Sequence, residues 1–191
     1  MQISIASLRR QTLEEVLEDL ETLKADSVEC IASETFLKYF TENYKVECLG
    51  SLFRQLPNSE EDLLNQFRKT CELANKFNIK KLMFGSKFIR DKFKMEEIYP
   101  KMFKIAKDFN LILLVEAIKD TFPGNHKELL ELQLENSVPY LHVCLVNALK
   151  NKEKLDSIDT NMVLNCHTNL ECNEIYKDFI KKLKIETTME F

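Results

Sequence analysis

A chain of 191 residues, 45% hydrophobic and 30% charged, is long enough for one domain with a real core and too short for two comfortable ones. Its net charge of −4 gives no electrostatic footprint for nucleic acid, and no apolar run reaches the length that spans a bilayer. The amino terminus, MQISIASLRRQ, lacks the order of a secretory signal and the six cysteines include no CxxC pair, so a reduced, cytoplasmic protein without a disulfide framework is expected.

Met1 to Leu8 alternates as a first strand. Thr12-Leu-Glu-Glu15 is a capping box, and the helix behind it puts Leu13, Val16, Leu17, Leu20 and Leu23 on one face. SVECIA, Ser27 to Ala32, reads as a second strand, and a short helix with Phe36, Leu37 and Phe40 follows. KVECLGSLF, Lys45 to Phe53, is a third strand. Ser59 caps a helix carrying Leu63, Phe67, Cys71, Ala74 and Phe77, which leads to a fourth strand, Lys80 to Ser86. In the next helix Pro100 belongs in the first turn, which predicts a start near Ile98 or Tyr99.

Asn110 to Ile118, NLILLVEAI, is a continuous apolar run of strand length whose one charge is Glu116, near its C-terminal end. Such runs mark strands covered on both faces, as in parallel sheets. A carboxylate there is costly to bury and needs a partner. After the turn at Phe122-Pro-Gly-Asn125 come the helix HKELLELQLE, a sixth strand from Pro139 to Asn147, and a short helix in the NKEKLDS region. A seventh strand spans Asn161 to His167, a last helix Asn173 to Leu183, and a final strand Ile185 to Phe191.

Eight strands alternating with helices every ~20–35 residues have the rhythm of βαβ units. They predict a compact (β/α)8 TIM barrel, one domain over residues 1–191, with no helix after the last strand. The barrel typically takes ~250 residues, so the loops must be very short. An open doubly wound sheet is the rival, but no GxGxxG or P-loop marks a phosphate crevice. In a barrel the chemistry sits at the C-terminal strand ends. There the chain places Glu29, Glu116, Asn147, His167 and Glu190. Carboxylates and a histidine converging on a barrel mouth suit one divalent cation such as Mn²⁺, Zn²⁺ or Mg²⁺.

The stretches ELANKFNIKKLMFGS and KMFKIAKDFNLILLVEAI resemble the xylose isomerase-like superfamily, the sugar phosphate isomerase/epimerase group of barrels. That resemblance implies a metal held by Glu, Asp, His and Glu from the ends of strands five to eight, acting on a sugar-like ligand. Carried over, it implies Glu116, His167 and Glu190 as ligands, with Glu116 and Glu190 as the catalytic acid/base pair. The strand-six Asp falls on Asn147 or, one residue back, Val146, which is a departure that removes one negative charge. Glu29 is the candidate substrate contact. His126 and His142 are bystanders on this reading. Alternatives are a non-catalytic descendant of the same barrel, and an AP endonuclease relative, for which three histidines are too few. With no helix after the eighth strand, the outer faces of strands eight and one are expected to lack cover, which predicts a homodimer closing over them.

Overall fold

A computed structural model describes residues 1–8, 12–50, 52–53 and 55–190. Its strands are β1 (Gln2–Ser4), β2 (Ser27–Ile31), β3 (Lys45–Gly50), β4 (Lys81–Phe84), β5 (Ile112–Val115), β6 (Leu141–Cys144), β7 (Val163–Thr168) and β8 (Thr188–Met189). Every ladder is parallel, in the order β5-β4-β3-β2-β1-β8-β7-β6. Because β1 pairs with both β2 and β8, the sheet curls and brings its two ends, β5 and β6, side by side. Among the described residues no backbone ladder joins those two strands. Asn147 bridges the seam instead, its Nδ2 donating to the Ala117 carbonyl at 3.1 Å. The chain is a nearly closed (β/α)8 barrel.

The helices are α1 (Leu13–Thr22), α2 (Glu34–Asn43), α3 (Glu60–Lys76), α4 (Met95–Asp108), α5 (His126–Glu135), α6 (Leu145–Asn151), α7 (Leu170–Ile175) and α8 (Lys177–Ile180). Helix starts follow the capping chemistry. Thr12 and Glu15 exchange both bonds of the box, each at 3.2 Å, and the Ser59 hydroxyl accepts from Asp62 N at 3.1 Å. Helix α4 begins three residues earlier than Pro100 suggests, so the proline is its sixth residue rather than lying in its first turn. None of the helices is long and apolar enough to cross a membrane.

Three boundaries move in ways that matter. The third strand stops at Gly50, with Ser51 of its expected range outside the described residues. The last strand shrinks to Thr188–Met189, and Phe191 is likewise outside them. The sixth strand ends at Cys144, and the helix expected further on starts at once with Leu145. The apolar run LHVCLV reads as one strand, but Leu145 and Ala148 are buried three apart, which is helical spacing.

The cover expected to be missing over β8 and β1 is present. Ile3 and Ile5 are buried in one core with Val16 and Leu20 of α1 and Phe179 of α8, and Met189 is buried as well. Ile3, Ile5 and Met189 therefore leave no exposed apolar strip on these two strands within the single chain. On the opposite faces of the strands the barrel interior is unusual. Barrels of this class fill it with layers of branched aliphatics, whereas here Ser4, Glu29, His142, Asn165, His167 and Thr188 are all buried. Irregular register beside Glu29 in the β2–β3 ladder and beside His142 in the β6–β7 ladder re-aims side chains at this polar interior.

Candidate metal and proton-transfer site

Glu29 is 1% exposed, so its charge requires compensation from inside the fold. It accepts hydrogen bonds from Ser4 Oγ at 3.0 Å and Asn165 Nδ2 at 3.1 Å, and its Oε2 lies 3.0 Å from His167 Nε2. Asn165 is oriented in turn by Thr188, whose hydroxyl donates to Asn165 Oδ1 at 3.1 Å. Gly50 completes the cradle, because a Cβ there would stand 2.8 Å from Glu29 Oε1. Burial works to raise the Glu29 carboxyl, but the His167 charge and the three donors outweigh it and hold it below the usual range.

His167, 1% exposed at the end of β7, lies between two carboxylates. Its Nδ1 is 2.9 Å from Glu190 Oε1, close enough for an ion pair, yet not aligned with any hydrogen-bond acceptor. Burial presses the ring toward neutrality, while Glu29, Cys144 and Glu190 together push its pKa well above the ordinary histidine value. His142, buried one layer away, meets His167 edge-on at 4.4 Å between ring centroids. Burial first, and the His167 charge second, drive the His142 pKa far down, so it stays a neutral ring. Neither of its nitrogens has a partner.

Glu116 is half-buried just past the end of β5. Its Oε1 accepts from Asn147 Nδ2 at 2.8 Å, and the same amide reaches Ala117 O, which fixes the amide nitrogen on that side. Beside it stands Gly85, where a Cβ would lie 2.7 Å from Glu116 Oε2. Two of the chain's three glycines thus make room for the two interior carboxylates. Burial raises the Glu116 carboxyl; His167 pulls it back, and the like charge of Glu190 lifts it again. Across from it, the buried Cys144 thiol is pushed up to about 12 by burial. Ligand atoms of Glu116, Cys144 and His167 all lie within 4.8 Å of one another. Above them opens a cavity of about 440 Å³, with Glu116 and Asn147 in its wall. A second, of about 430 Å³, shares Met83, Phe88 and Glu116 with it and reaches Glu190.

No protein-family model and no curated protein sequence matches the chain. Solved structures match it throughout. The IolI protein "with a binding zinc atom" superimposes with a TM-score of 0.71 over 100% of this chain and 88% of its own, at 11% identity. A xylose isomerase domain containing protein from Salmonella typhimurium LT2 gives 0.69 over 99% and 87%, at 12% identity. D-psicose 3-epimerase, solved in the presence of D-fructose, gives 0.63 over 99% and 83%, at 12% identity. This chain has the TIM-barrel fold of these structures.

In this barrel the ends of strands five to eight carry Glu116, Cys144, His167 and Glu190. Three of these are expected from sequence, and the structure brings them together. The fourth, Cys144, closes β6 opposite His167 in the ladder. Asn147 lies in the first turn of α6, where its amide nitrogen donates to Glu116 and to the Ala117 carbonyl. Val146 also lies in α6 and offers no ligand atom. Glu29, the candidate substrate contact, is buried with its oxygens held by Ser4, Asn165 and His167, and it is among the residues lining the 430 Å³ cavity that reaches Glu190.

Proposed function

We propose that this chain is a metal-dependent isomerase or epimerase acting on a small hydroxy-carbonyl compound, the reacting end of a sugar or sugar phosphate. The observation that carries this reading is the convergence of Glu116, Cys144 and His167 within 4.8 Å, with Glu190 beside His167, where Glu116 opens onto one cavity and Glu116 and Glu190 onto its neighbour. A divalent ion fits the donors. His167 Nδ1 is buried 2.9 Å from Glu190 Oε1 without an aligned hydrogen bond, and ligand atoms of Glu116, Cys144 and His167 set an oxygen, a sulfur and a nitrogen facing one another. Cys144, which would lose its thiol proton on binding a metal, would favour Zn²⁺ over the harder Mg²⁺ and Mn²⁺. Bound there, the ion would polarise adjacent hydroxyl and carbonyl oxygens as a Lewis acid.

The protein's own groups supply the proton chemistry. Glu116, its carboxyl raised by burial, sits at the cavity wall where a carbon acid would lie and serves as the general base. Asn147 holds it in position. Glu190, with its side chain 28% exposed on the far side of His167, serves as the second proton carrier. Glu29 fixes the His167 ring through Nε2 and leaves Nδ1 facing the site. The zinc named with the IolI protein and the D-fructose named with D-psicose 3-epimerase support the metal and the hydroxy-ketone respectively.

A second reading, a non-catalytic ligand-binding barrel, draws support from the ion pairs of His167 with Glu29 and Glu190, which compensate its charge without a metal. Calorimetric titration separates the two. One Zn²⁺ per chain is expected, abolished in a Glu116→Gln, His167→Gln double variant, and Cys144→Asp should move the preference toward Mn²⁺ and Mg²⁺. No heat beyond that of the double variant would favour the non-catalytic barrel.

A further inference from the structure

A polyhydroxylated chain entering a protein exchanges the water bonds of each hydroxyl for protein partners, and a hydroxyl left without one is penalised. The 440 Å³ cavity is poorly equipped for that exchange. Its wall is built from Leu52, Phe53, Leu56, Phe84, Phe88 and Ile118. Among the described residues its polar side chains are Glu116 and Asn147, already bonded to each other, and Gln55 and Lys87. Away from Glu116 and Asn147 the wall of this cavity is mostly apolar, while the adjoining cavity that reaches Glu190 carries Ser4, Ser7, Lys150 and Asn169.

A second observation points the same way. Leu56 and Phe88 are 55% and 79% exposed, two of the few large apolar side chains of the described residues that face solvent, and both border this one cavity. Phe88 also lines the neighbouring cavity that reaches Glu190, so its ring stands where the two meet. Exposed apolar groups continuous with a concave wall mark a surface that is covered when a ligand binds. The wall ends at Glu116, a group suited to small-molecule chemistry, which makes a compact ligand the occupant.

We infer that the substrate of this site carries an apolar tail beyond its hydroxy-carbonyl end, seated against Leu52, Phe53, Leu56, Phe84, Phe88 and Ile118. This rests on the reading of the site as one for hydroxy-carbonyl chemistry, and it sets this chain apart from enzymes whose substrates are hydroxylated along their whole length. Phe88 and Leu56 are then specificity-determining residues.

The test is methyl-resolved NMR of the full chain, with and without Zn²⁺, titrated with L-erythrulose, 1-hydroxybutan-2-one and 1-hydroxyhexan-2-one. The first two share a four-carbon hydroxy-ketone chain and differ in tail hydroxyls, and the third lengthens the apolar tail. Each CH₂ buried should tighten binding roughly fourfold, so affinity should climb about 5–15-fold from the butanone to the hexanone. L-Erythrulose should be the weakest, and the Leu52 and Ile118 methyl signals should move. Phe88→Ser, at an exposed position, should erase most of the hexanone's advantage and leave Zn²⁺ stoichiometry unchanged. L-Erythrulose binding as tightly as the hexanone, or no ligand moving those methyls, would overturn the inference while leaving a zinc-binding result intact. Tail-dependent binding in a protein that takes up no Zn²⁺ would uphold the inference and remove the metal reading.

Discussion

Glu29→Gln is expected to lower the stability of the fold by about 3 kcal/mol, the lower end of the cost of breaking a buried ion pair. The reason lies in what the change leaves behind. His167 would keep a buried ring whose charge was balanced by Glu29, and Glu190, with its side chain 28% exposed, can compensate it only in part. For a chain of this length the loss should appear as a drop in melting temperature of roughly 6–12 °C. A Glu29→Gln, His167→Gln double variant should recover part of it, because two amides facing each other strand no charge. If the single variant were as stable as the parent, the pair would hold nothing together.

The pH dependence of that difference has a definite sign. Glu29 is held low, so its contribution is complete above the unfolded carboxyl value of about 4.3 and is lost as pH falls through the depressed folded value. His167 is held high, so its contribution is complete below about 6.5 and is lost as pH rises through its elevated folded value. Parent minus variant stability, followed by denaturant unfolding, should form a plateau between those limits and decline on either side.

Glu116→Gln should reduce the rate of proton exchange at the substrate carbon next to the carbonyl by a factor on the order of 10²–10⁴, the usual weight of general acid–base catalysis. The substitution keeps size and leaves Asn147 a partner, so the cavity should persist while the proton acceptor is lost. In the parent chain the rate should fall with acidification as this carboxylate is protonated; burial raises the group, and a bound divalent cation would oppose that rise. Deuterium uptake from D₂O, read by NMR on the hydroxy-ketones above, gives both quantities. Equal uptake by parent and variant would take Glu116 out of the chemistry.

The barrel itself is legible in the sequence because its parts are local. Apolar runs, the Thr12 and Ser59 caps and the turn chemistry each act within a few residues. Glu116 stands out for the same reason, as the one charge in NLILLVEAI. Other features depend on distance along the chain. Glu29 bonds to Asn165 and His167 across 136 and 138 residues, a pairing that only barrel closure creates, so in sequence it reads as a strand-end carboxylate facing solvent. Cys144 is hidden by a local ambiguity. LHVCLV suits strand or helix equally, and the tertiary packing of Leu145 and Ala148 decides where one gives way to the other. The burial of Ile3, Ile5 and Met189 on β1 and β8 is invisible for a third reason: it depends on packing across the fold, which a count of helices after the last strand does not register.

The most direct test of a metal site built on Cys144 is loading the purified chain with Co²⁺ and recording its absorption spectrum. A metal held by Glu116, Cys144 and His167 should produce an intense thiolate-to-cobalt charge-transfer band in the near ultraviolet at one ion per chain. That band should be lost in Cys144→Ser and displaced by stoichiometric Zn²⁺. A parent spectrum without the band, or one unchanged in Cys144→Ser, would contradict the assignment of strand six and of the metal with it.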